Sequence, residues 1–145
     1  MSAPVILVTG GSRGIGAATA RLAAQRGYDV AFTYVRDESA AQRVADDIRA
    51  LGRRVLALKS NVGSEEDVIR TFAEVDAQLG RIRALVFNSA ITGAHSRLDE
   101  AATSTLREVI EVNLLGAMYC AREAIRRMST RHGGNGGSIV FISSR

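Results

Sequence analysis

The sequence is short of several residue types, and each shortage excludes a class of protein. Its 145 residues include one cysteine, two histidines and no tryptophan. Cys120 alone cannot form an internal disulfide, which is typical of a reducing compartment. It lies in an apolar helical stretch with no base suggested beside it, so we expect a small core residue rather than a nucleophile. His95 and His132 are far apart and lack ligand spacing, so we expect no metal site.

Long hydrophobic runs are also absent. Residues 1–8 form too short an apolar run, without a basic flank, to be a signal peptide, and no segment approaches the length of a membrane span. We therefore expect a cytoplasmic protein without a membrane partner. The net charge of +4 leaves an anionic ligand open. The basic residues, all arginine except Lys59, are scattered along helical stretches without a basic face, so nucleic acid is not expected as a partner.

Apolar runs and helical periodicities alternate along the chain. The apolar runs predict buried strands at residues 4–9, 29–34, 54–59, 83–87 and 138–142. The periodic segments predict helices at residues 14–26, 39–51, 64–79 and 103–128. In the first of these, Ile15, Thr19 and Leu22 mark one face. Strict alternation favours an α/β fold, a doubly wound parallel sheet of the Rossmann type, with strand order 3-2-1-4-5 if it follows the dinucleotide-binding pattern.

A glycine-rich turn, residues 9–16, joins the first strand to the first helix. Gly10 suits a sharp turn, Gly14 leaves room for a pyrophosphate, and Gly16 allows the helix to pack closely on the strand. The helix start adds unpaired N–H groups and a positive dipole end. This strand-turn-helix context favours phosphate binding over an ordinary turn. The residues predicted to bind a cofactor here are Thr9, Gly10, Ser12, Arg13, Gly14, Ile15 and Gly16.

The spacing Thr-Gly-x-x-x-Gly-x-Gly resembles the signature of the short-chain dehydrogenase/reductase family. Asn88-Ser89-Ala90, at the end of strand four, resembles the family's Asn-Asn-Ala-Gly motif, with departures at Ser89 and Ile91. The resemblance implies that these three residues line the cofactor site. Asn88 could equally do no more than stabilise the end of the strand.

Two more motifs extend the resemblance over all 145 residues. Asn113 is similar to the family's helix asparagine that helps to hold a water in a proton relay. Residues 138–144 are similar to the strand that delivers the catalytic serine, a role that falls on Ser144. Read without the other motifs, the serines here would be ordinary polar residues ending a strand. The resemblance implies an oxidoreductase that moves a hydride between a nicotinamide and a small alcohol or carbonyl substrate, and, from the helix at 103–128, a homodimer or homotetramer.

The choice of cofactor depends on charge after the second strand. An NAD-selective site would have an acidic residue there, but the alignment places Tyr34 at this position. Arg13 and Arg36 could pair with a 2′-phosphate, which predicts NADP(H) over NAD(H). Asp37 is close enough to be a ribose ligand, although its expected role is to cap the second helix. Asn61, where the family usually has Asp, and Val62 after it are expected near the adenine.

The chain lacks the family's catalytic Tyr-x-x-x-Lys pair, since none of Tyr28, Tyr34 and Tyr119 is followed by a lysine four residues later. Residues 1–145 are therefore expected to be an NAD(P)-binding Rossmann domain of a longer enzyme, truncated before its C-terminal strands and helices and inactive alone. The alternative is a noncatalytic dinucleotide-binding module, which gives no reason to retain Asn113 and Ser144. A methyltransferase with a glycine-rich nucleoside loop is a third interpretation, less favoured because it has no need of Arg13.

Overall fold

The architecture, seen in a computed structural model that describes residues 2–144, is one parallel sheet with helices on both faces. The strand order is β3-β2-β1-β4-β5, as the sequence predicted for a doubly wound fold. The strands are β1 (Val5–Val8), β2 (Asp29–Tyr34), β3 (Val55–Lys59), β4 (Ile82–Phe87) and β5 (Ser138–Phe141). Each predicted strand is present, with ends within two residues of the expected ones.

The helices match their predicted positions, with one difference. They are α1 (Gly14–Gln25), α2 (Glu38–Ala50), α3 (Glu65–Gln78), α4 (Thr103–Ile110) and α5 (Gly116–Met128). The single helix predicted over residues 103–128 is divided by a π-helical turn, Glu111–Leu115. Short 3₁₀ turns at Leu98–Glu100 and Thr130–His132 were not predicted.

Two hydrophobic layers hold the helices to the sheet. Alternate residues of a strand point to opposite faces, so Val5 and Leu7 of β1 join one cluster while Ile6 and Val8 join the other. The first cluster packs α3 and α5 against the sheet, and the second packs α1 and α2. Complete burial of a side chain such as that of Leu7 contributes about 1.5–3 kcal/mol.

Helix α1 buries a different face from the apolar stripe seen in the sequence. Ile15 and Leu22 are exposed by 62% and 48%, and Thr19 is only half-buried. The buried positions are small residues, Gly16, Ala17, Ala20, Ala23 and Ala24. Small side chains let this helix lie close to the sheet, and closeness of the helix at its first turn is what brings the glycine turn over the end of β1.

The amino ends of the strands are held together by charge. Asp29, 1% exposed, accepts hydrogen bonds of 2.8 Å from both the Arg53 and Arg54 side chains. Burial by itself would raise the pKa of Asp29, but the hydrogen bonds from Arg54 and Arg53 outweigh it and hold this pKa below its ordinary value of 3.8. Arg54 also donates to the carbonyl oxygens of Gln78 and Leu79, so the cluster joins β2, β3 and the end of α3.

A cavity of about 320 Å³ lies at this same edge, lined in part by Arg81, Arg83 and Arg127. The cavity is therefore at the amino ends of the strands, whereas the glycine turn lies at their carboxyl ends.

Apolar side chains are exposed at the β5 end of the sheet and along the long helix. Val140 and Phe141 of β5 are both about half exposed. Helix α4 has no buried residue, and an exposed row with a spacing of four continues past the π-helical turn: Leu106, Ile110, Leu114 and Met118. Within residues 2–144, no helix combines the length and apolar character needed to cross a membrane.

Candidate functional site

The glycine turn lies at the carboxyl end of β1, between neighbours β2 and β4. The helices that follow β1 and β4 lie on opposite faces of the sheet, and this divergence of adjacent strands opens a crevice for a ligand. Gly10 and Gly14 both have positive φ angles, of 64° and 55°, which side chains disfavour. A Cβ built on Gly14 would meet no protein atom within 4 Å, so its outer side faces open space.

Gly16, in contrast to Gly14, is closely surrounded by protein atoms. A Cβ at this position would overlap the Gly10 carbonyl and the Asn88 Nδ2 atom. The predicted role of Gly16, close packing of the helix against the strand end, follows directly from this contact.

The ends of β1 and β4 are joined through Thr9, which is completely buried. Its Oγ1 atom accepts hydrogen bonds from the main-chain N–H groups of Asn88, at 2.9 Å, and Ser89, at 3.1 Å. The Asn88 side chain donates in turn to the Gly10 carbonyl at 3.1 Å. The structure thus brings together the glycine turn and the Asn88-Ser89-Ala90 segment, which lie almost eighty residues apart in the sequence; Ala90 is exposed beside them.

Two residues that shape this turn, one within it and one on β2, were not predicted from the sequence. Gly11 lies against Phe32, whose side chain would collide with any Cβ at Gly11. Thr33 of β2 binds the main chain of both Gly10 and Gly11. Both contacts join segments that are distant along the chain, and no periodicity or motif indicates either of them.

The start of α1 differs from the starts of the next two helices. Asp37 caps α2 by accepting from the Ala40 N–H at 2.9 Å, and Ser64 caps α3 by accepting from the Asp67 N–H at 3.2 Å. At α1 the N-cap residue is Arg13, which makes no side-chain cap, and no acidic residue lies in the first turn. The first N–H groups of α1 therefore face the crevice without a side-chain acceptor, the arrangement that suits a bound anion.

Two cationic side chains follow the carboxyl ends of β1 and β2. Arg13 and Arg36 lie on the surface, with Ser12 and Tyr34 partly buried near them in sequence. Within residues 2–144, neither guanidinium pairs with a carboxylate. Asp37, the alternative ribose ligand, uses one carboxylate oxygen for its helix cap.

The turn after β3 contains the predicted adenine contacts. Asn61 uses its Oδ1 atom to accept from the Gly63 N–H at 2.9 Å, while its own N–H donates to Asp67 at 2.9 Å. Val62 is 4% exposed, and its side chain packs in the core near Gly116. The side chain of Val62 is therefore unavailable to a ligand, and any contact made by this residue would involve its main chain.

Asn113 lies in the π-helical turn, and its amide is bound on both sides by one residue. Its Nδ2 atom donates to the Ile91 carbonyl at 2.7 Å, and its Oδ1 atom accepts from the Ile91 N–H at 2.8 Å. A partly buried amide in an apolar helix is satisfied in this way, and it fixes the loop that follows Asn88. Its role in a proton relay stays a prediction.

Ser144 follows β5 and is exposed. The Ile142 N–H donates to the Phe87 carbonyl at 2.9 Å, so β5 stays paired with β4 up to the residues just before Ser144. Ser144 therefore follows the carboxyl end of β5, at the same edge of the sheet as Asn88.

Cys120 has no part in this site. It is 2% exposed, and burial, with a smaller contribution from Glu123, raises the pKa of its thiol from 9.0 to about 12. The expectation of a small core residue is confirmed. In the described part of the chain, histidine, cysteine and acidic residues form no group of three or more that could hold a metal ion.

Comparison with known proteins gives one consistent result. A family model described as short chain dehydrogenase matches residues 4–145. The chain is 39% identical over 140 residues to an uncharacterized oxidoreductase, YgfF, of Escherichia coli (strain K12), covering 97% of this chain and 57% of that protein. It is 41% identical over 141 residues to a 3-oxoacyl-[acyl-carrier-protein] reductase of Bos taurus, covering 95% and 57%.

The solved structures agree with this. A short chain dehydrogenase from Burkholderia cenocepacia J2315 in complex with NADP superimposes with a TM-score of 0.90 at 34% identity, covering 99% of this chain and 56% of that one. The chain thus spans little more than half the length of the proteins that it matches.

Proposed function

The chain belongs to the short-chain dehydrogenase family, and from this premise we propose that it is the NADP(H)-binding Rossmann domain of an oxidoreductase acting on a small alcohol or carbonyl compound. The observation that carries the proposal is the start of α1. It is uncapped, lacks acidic residues, follows a glycine turn and lies at the switch point of the sheet.

The residues present fit a dinucleotide diphosphate at this position. The open side of Gly14 leaves room for a phosphate to reach the main chain, and the first N–H groups of α1 would donate to its oxygens. Ser12 and Ile15, on either side of Gly14, would line the diphosphate. The exposure of Ile15 supports this, because a large apolar side chain beside a glycine turn gains from contact with a ligand.

NADP(H) is proposed over NAD(H) because of Arg13 and Arg36. Both guanidinium groups are exposed, and a 2′-phosphate offers the planar, multiply accepting partner that arginine binds best. Tyr34 would lie along the adenosine, without the carboxylate that an NAD-selective site uses on the ribose. Asn61 and the main chain of Val62 are proposed for the adenine edge.

The other end of the cofactor would lie over Asn88, Ser89 and Ala90. A bound nicotinamide dinucleotide supplies or accepts the hydride. In that setting the Ser144 hydroxyl would orient the substrate oxygen by a hydrogen bond, and Asn113 would hold the loop at Ile91 and a relay water in place. The acid-base pair of tyrosine and lysine that the family uses is not supplied by residues 1–145, so catalysis is proposed only for a longer protein that includes this domain.

Assembly into a homodimer or homotetramer is part of the same proposal. It rests on the exposed apolar row along α4 and the start of α5, formed by Leu106, Ile110, Leu114 and Met118. Such a row is costly in water and suits the packing of a second helix pair.

Titration with NADPH and with NADH, followed by cofactor fluorescence and by calorimetry, tests the cofactor proposal. We expect tighter binding of NADPH. Replacing both arginines, Arg13→Ala with Arg36→Ala, should remove most of that preference, about 100-fold or more if each loses a charged hydrogen bond to the 2′-phosphate, while leaving NADH binding unchanged. Arg26→Ala with Arg131→Ala removes two exposed arginines that are not predicted site residues and is the matched control for net charge.

Tighter binding of NADH, unaffected by the double substitution, would overturn the NADP(H) assignment. Absence of heat and of a fluorescence change with both dinucleotides would overturn the proposed function itself.

A further inference from the structure

Thr33 is a polar residue buried within β2, and it is bound to the glycine turn by two separate groups. Its Oγ1 atom accepts a hydrogen bond from the Gly10 N–H at 3.1 Å. Its carbonyl accepts from the Gly11 N–H at 2.8 Å. The residue is 2% exposed, so both bonds are shielded from water.

These bonds hold Gly10 and Gly11, the two adjacent glycines of the turn, whose backbone is intrinsically the most flexible. Adjacent glycines lose more backbone freedom on folding than any other pair, so contacts must fix their conformation. Below the turn, the Phe32 side chain leaves no room for anything larger than glycine at position 11. Phe32 thus sets how closely Gly11 approaches β2, and Thr33 sets the orientation of both glycines.

From this geometry we infer that Thr33 is a positioning residue for dinucleotide binding: its hydroxyl holds Gly10 so that the amides at the start of α1 meet the diphosphate. The inference rests on the proposed function, because it needs a diphosphate at this turn. Thr33 has no expected contact with the ligand and acts through Gly10.

This role predicts a pattern of specificity that differs from that of the arginines. NADPH and NADH share the diphosphate and differ only at the 2′ position. Loss of the Thr33 hydroxyl should therefore weaken both cofactors by the same factor, whereas loss of Arg13 and Arg36 should weaken NADPH alone.

The test is Thr33→Val, which replaces the hydroxyl by a methyl group of similar size and leaves the Gly10 N–H without its acceptor. We expect the dissociation constants for NADPH and for NADH to rise by about 3- to 10-fold each, the range that one shielded hydrogen bond commands. Thr33→Ser keeps the hydroxyl and should restore both constants to within about twofold of the unmutated chain.

A control variant with a similar loss of stability distinguishes a positioning role of Thr33 from a purely structural one. Ile82→Val removes one methyl group from a buried position at the amino end of β4, away from the turn, and should lower the melting temperature about as much as Thr33→Val does. Its dissociation constants should not change. The inference is overturned if Thr33→Val lowers the melting temperature but binds both cofactors normally, if Ser fails to restore binding, or if only NADPH binding falls. If the unmutated chain binds neither cofactor, the proposed function fails and this inference with it.

Discussion

The carboxyl ends and the amino ends of the strands, here called the carboxyl edge and the amino edge of the sheet, are held together by different kinds of interaction. At the carboxyl ends of the strands, Thr9, Thr33 and Asn88 form hydrogen bonds between neutral groups, most of them to main-chain amides and carbonyls. At the amino ends, the buried carboxylate of Asp29 receives two arginine side chains. The first edge contains the candidate site, and the second edge has no predicted site residue.

The two edges also differ in what their arginines bind. At the amino edge, Arg53 and Arg54 share the single carboxylate of Asp29, and these ion pairs stabilise the protein itself. At the carboxyl edge, Arg13 and Arg36 have no carboxylate partner among residues 2–144, and the start of α1 has no acidic cap. A neutral framework with two exposed, unpaired arginines in the flanking turns suits a polyanionic ligand.

Gly16→Ala tests the carboxyl edge and should have the largest effect on dinucleotide affinity. Its Cβ would displace the Gly10 carbonyl or the Asn88 amide, so we expect the free energy of unfolding to fall by about 1–3 kcal/mol. The shifted turn should lower dinucleotide affinity by roughly 100-fold, equivalent to losing two hydrogen bonds to phosphate. Urea unfolding and NADPH titration measure the two effects. A variant that binds normally would show that the close packing is not needed for the site.

Asp29→Asn tests the amino edge, and we expect it to change stability alone. Loss of charged hydrogen bonds to Arg53 and Arg54 should cost about 1.5–3 kcal/mol of unfolding free energy, with dinucleotide affinity unchanged. Asp47→Asn, which removes an exposed partner of Arg21, is the control and should cost at most about 1 kcal/mol.

Asp29→Asn should also change how the free energy of unfolding depends on pH. Because the pKa of Asp29 is lowered by folding, its stabilising contribution is complete above the unfolded pKa, near 4, and is lost as the pH falls through the folded value. Unfolding free energies measured between pH 6 and pH 2 should decline less steeply below pH 4 for Asp29→Asn than for the unmutated chain. Parallel curves would mean that this carboxylate does not couple folding to protonation.

Gly14→Ala and Gly52→Ala compare the two edges at matched backbone cost and should give the smallest change in stability. Both glycines have positive φ, 55° and 77°, and a Cβ on either meets no protein atom within 4 Å. Each substitution should cost about 1–2 kcal/mol for the left-handed conformation. Only Gly14→Ala should weaken dinucleotide binding, by about tenfold, because its methyl group occupies the side from which a phosphate approaches. Equal affinities for the two variants would contradict a ligand at Gly14.

Much of the carboxyl edge could be predicted from the sequence because the patterns that indicate it are local. The glycine spacing, the apolar strand before it and the helix after it are all within about twenty residues, and Asp37 precedes α2 by one position, where a cap belongs. The alternation of strands and helices predicted a parallel sheet, since parallel strands need crossover connections, and the strand order came from the dinucleotide-binding pattern.

The rest depended on contacts between distant segments. The buried face of α1 is set by how closely the helix approaches the sheet at Gly16, and that approach favours alanines over the larger Ile15 and Leu22. Thr33 gave no sequence signal because threonine is ordinary in a strand, and its importance comes from a turn 23 residues earlier. The π-helical turn was missed because an apolar periodicity averaged over a long helix does not register one widened turn.

That widened turn gives the long helix one place where its length can change with little effect on its course. In a regular helix each residue advances the direction by about 100°, so deleting one residue within α4 or α5 would rotate the preceding part of the helix by about that angle. A deletion between 111 and 115 could instead be absorbed by closing the turn to regular α-helical pitch, which leaves the flanking segments close to their present orientation. The loss would be local, since Asn113 would be displaced from Ile91. We therefore expect such a deletion to preserve the fold better than a deletion elsewhere in the long helix.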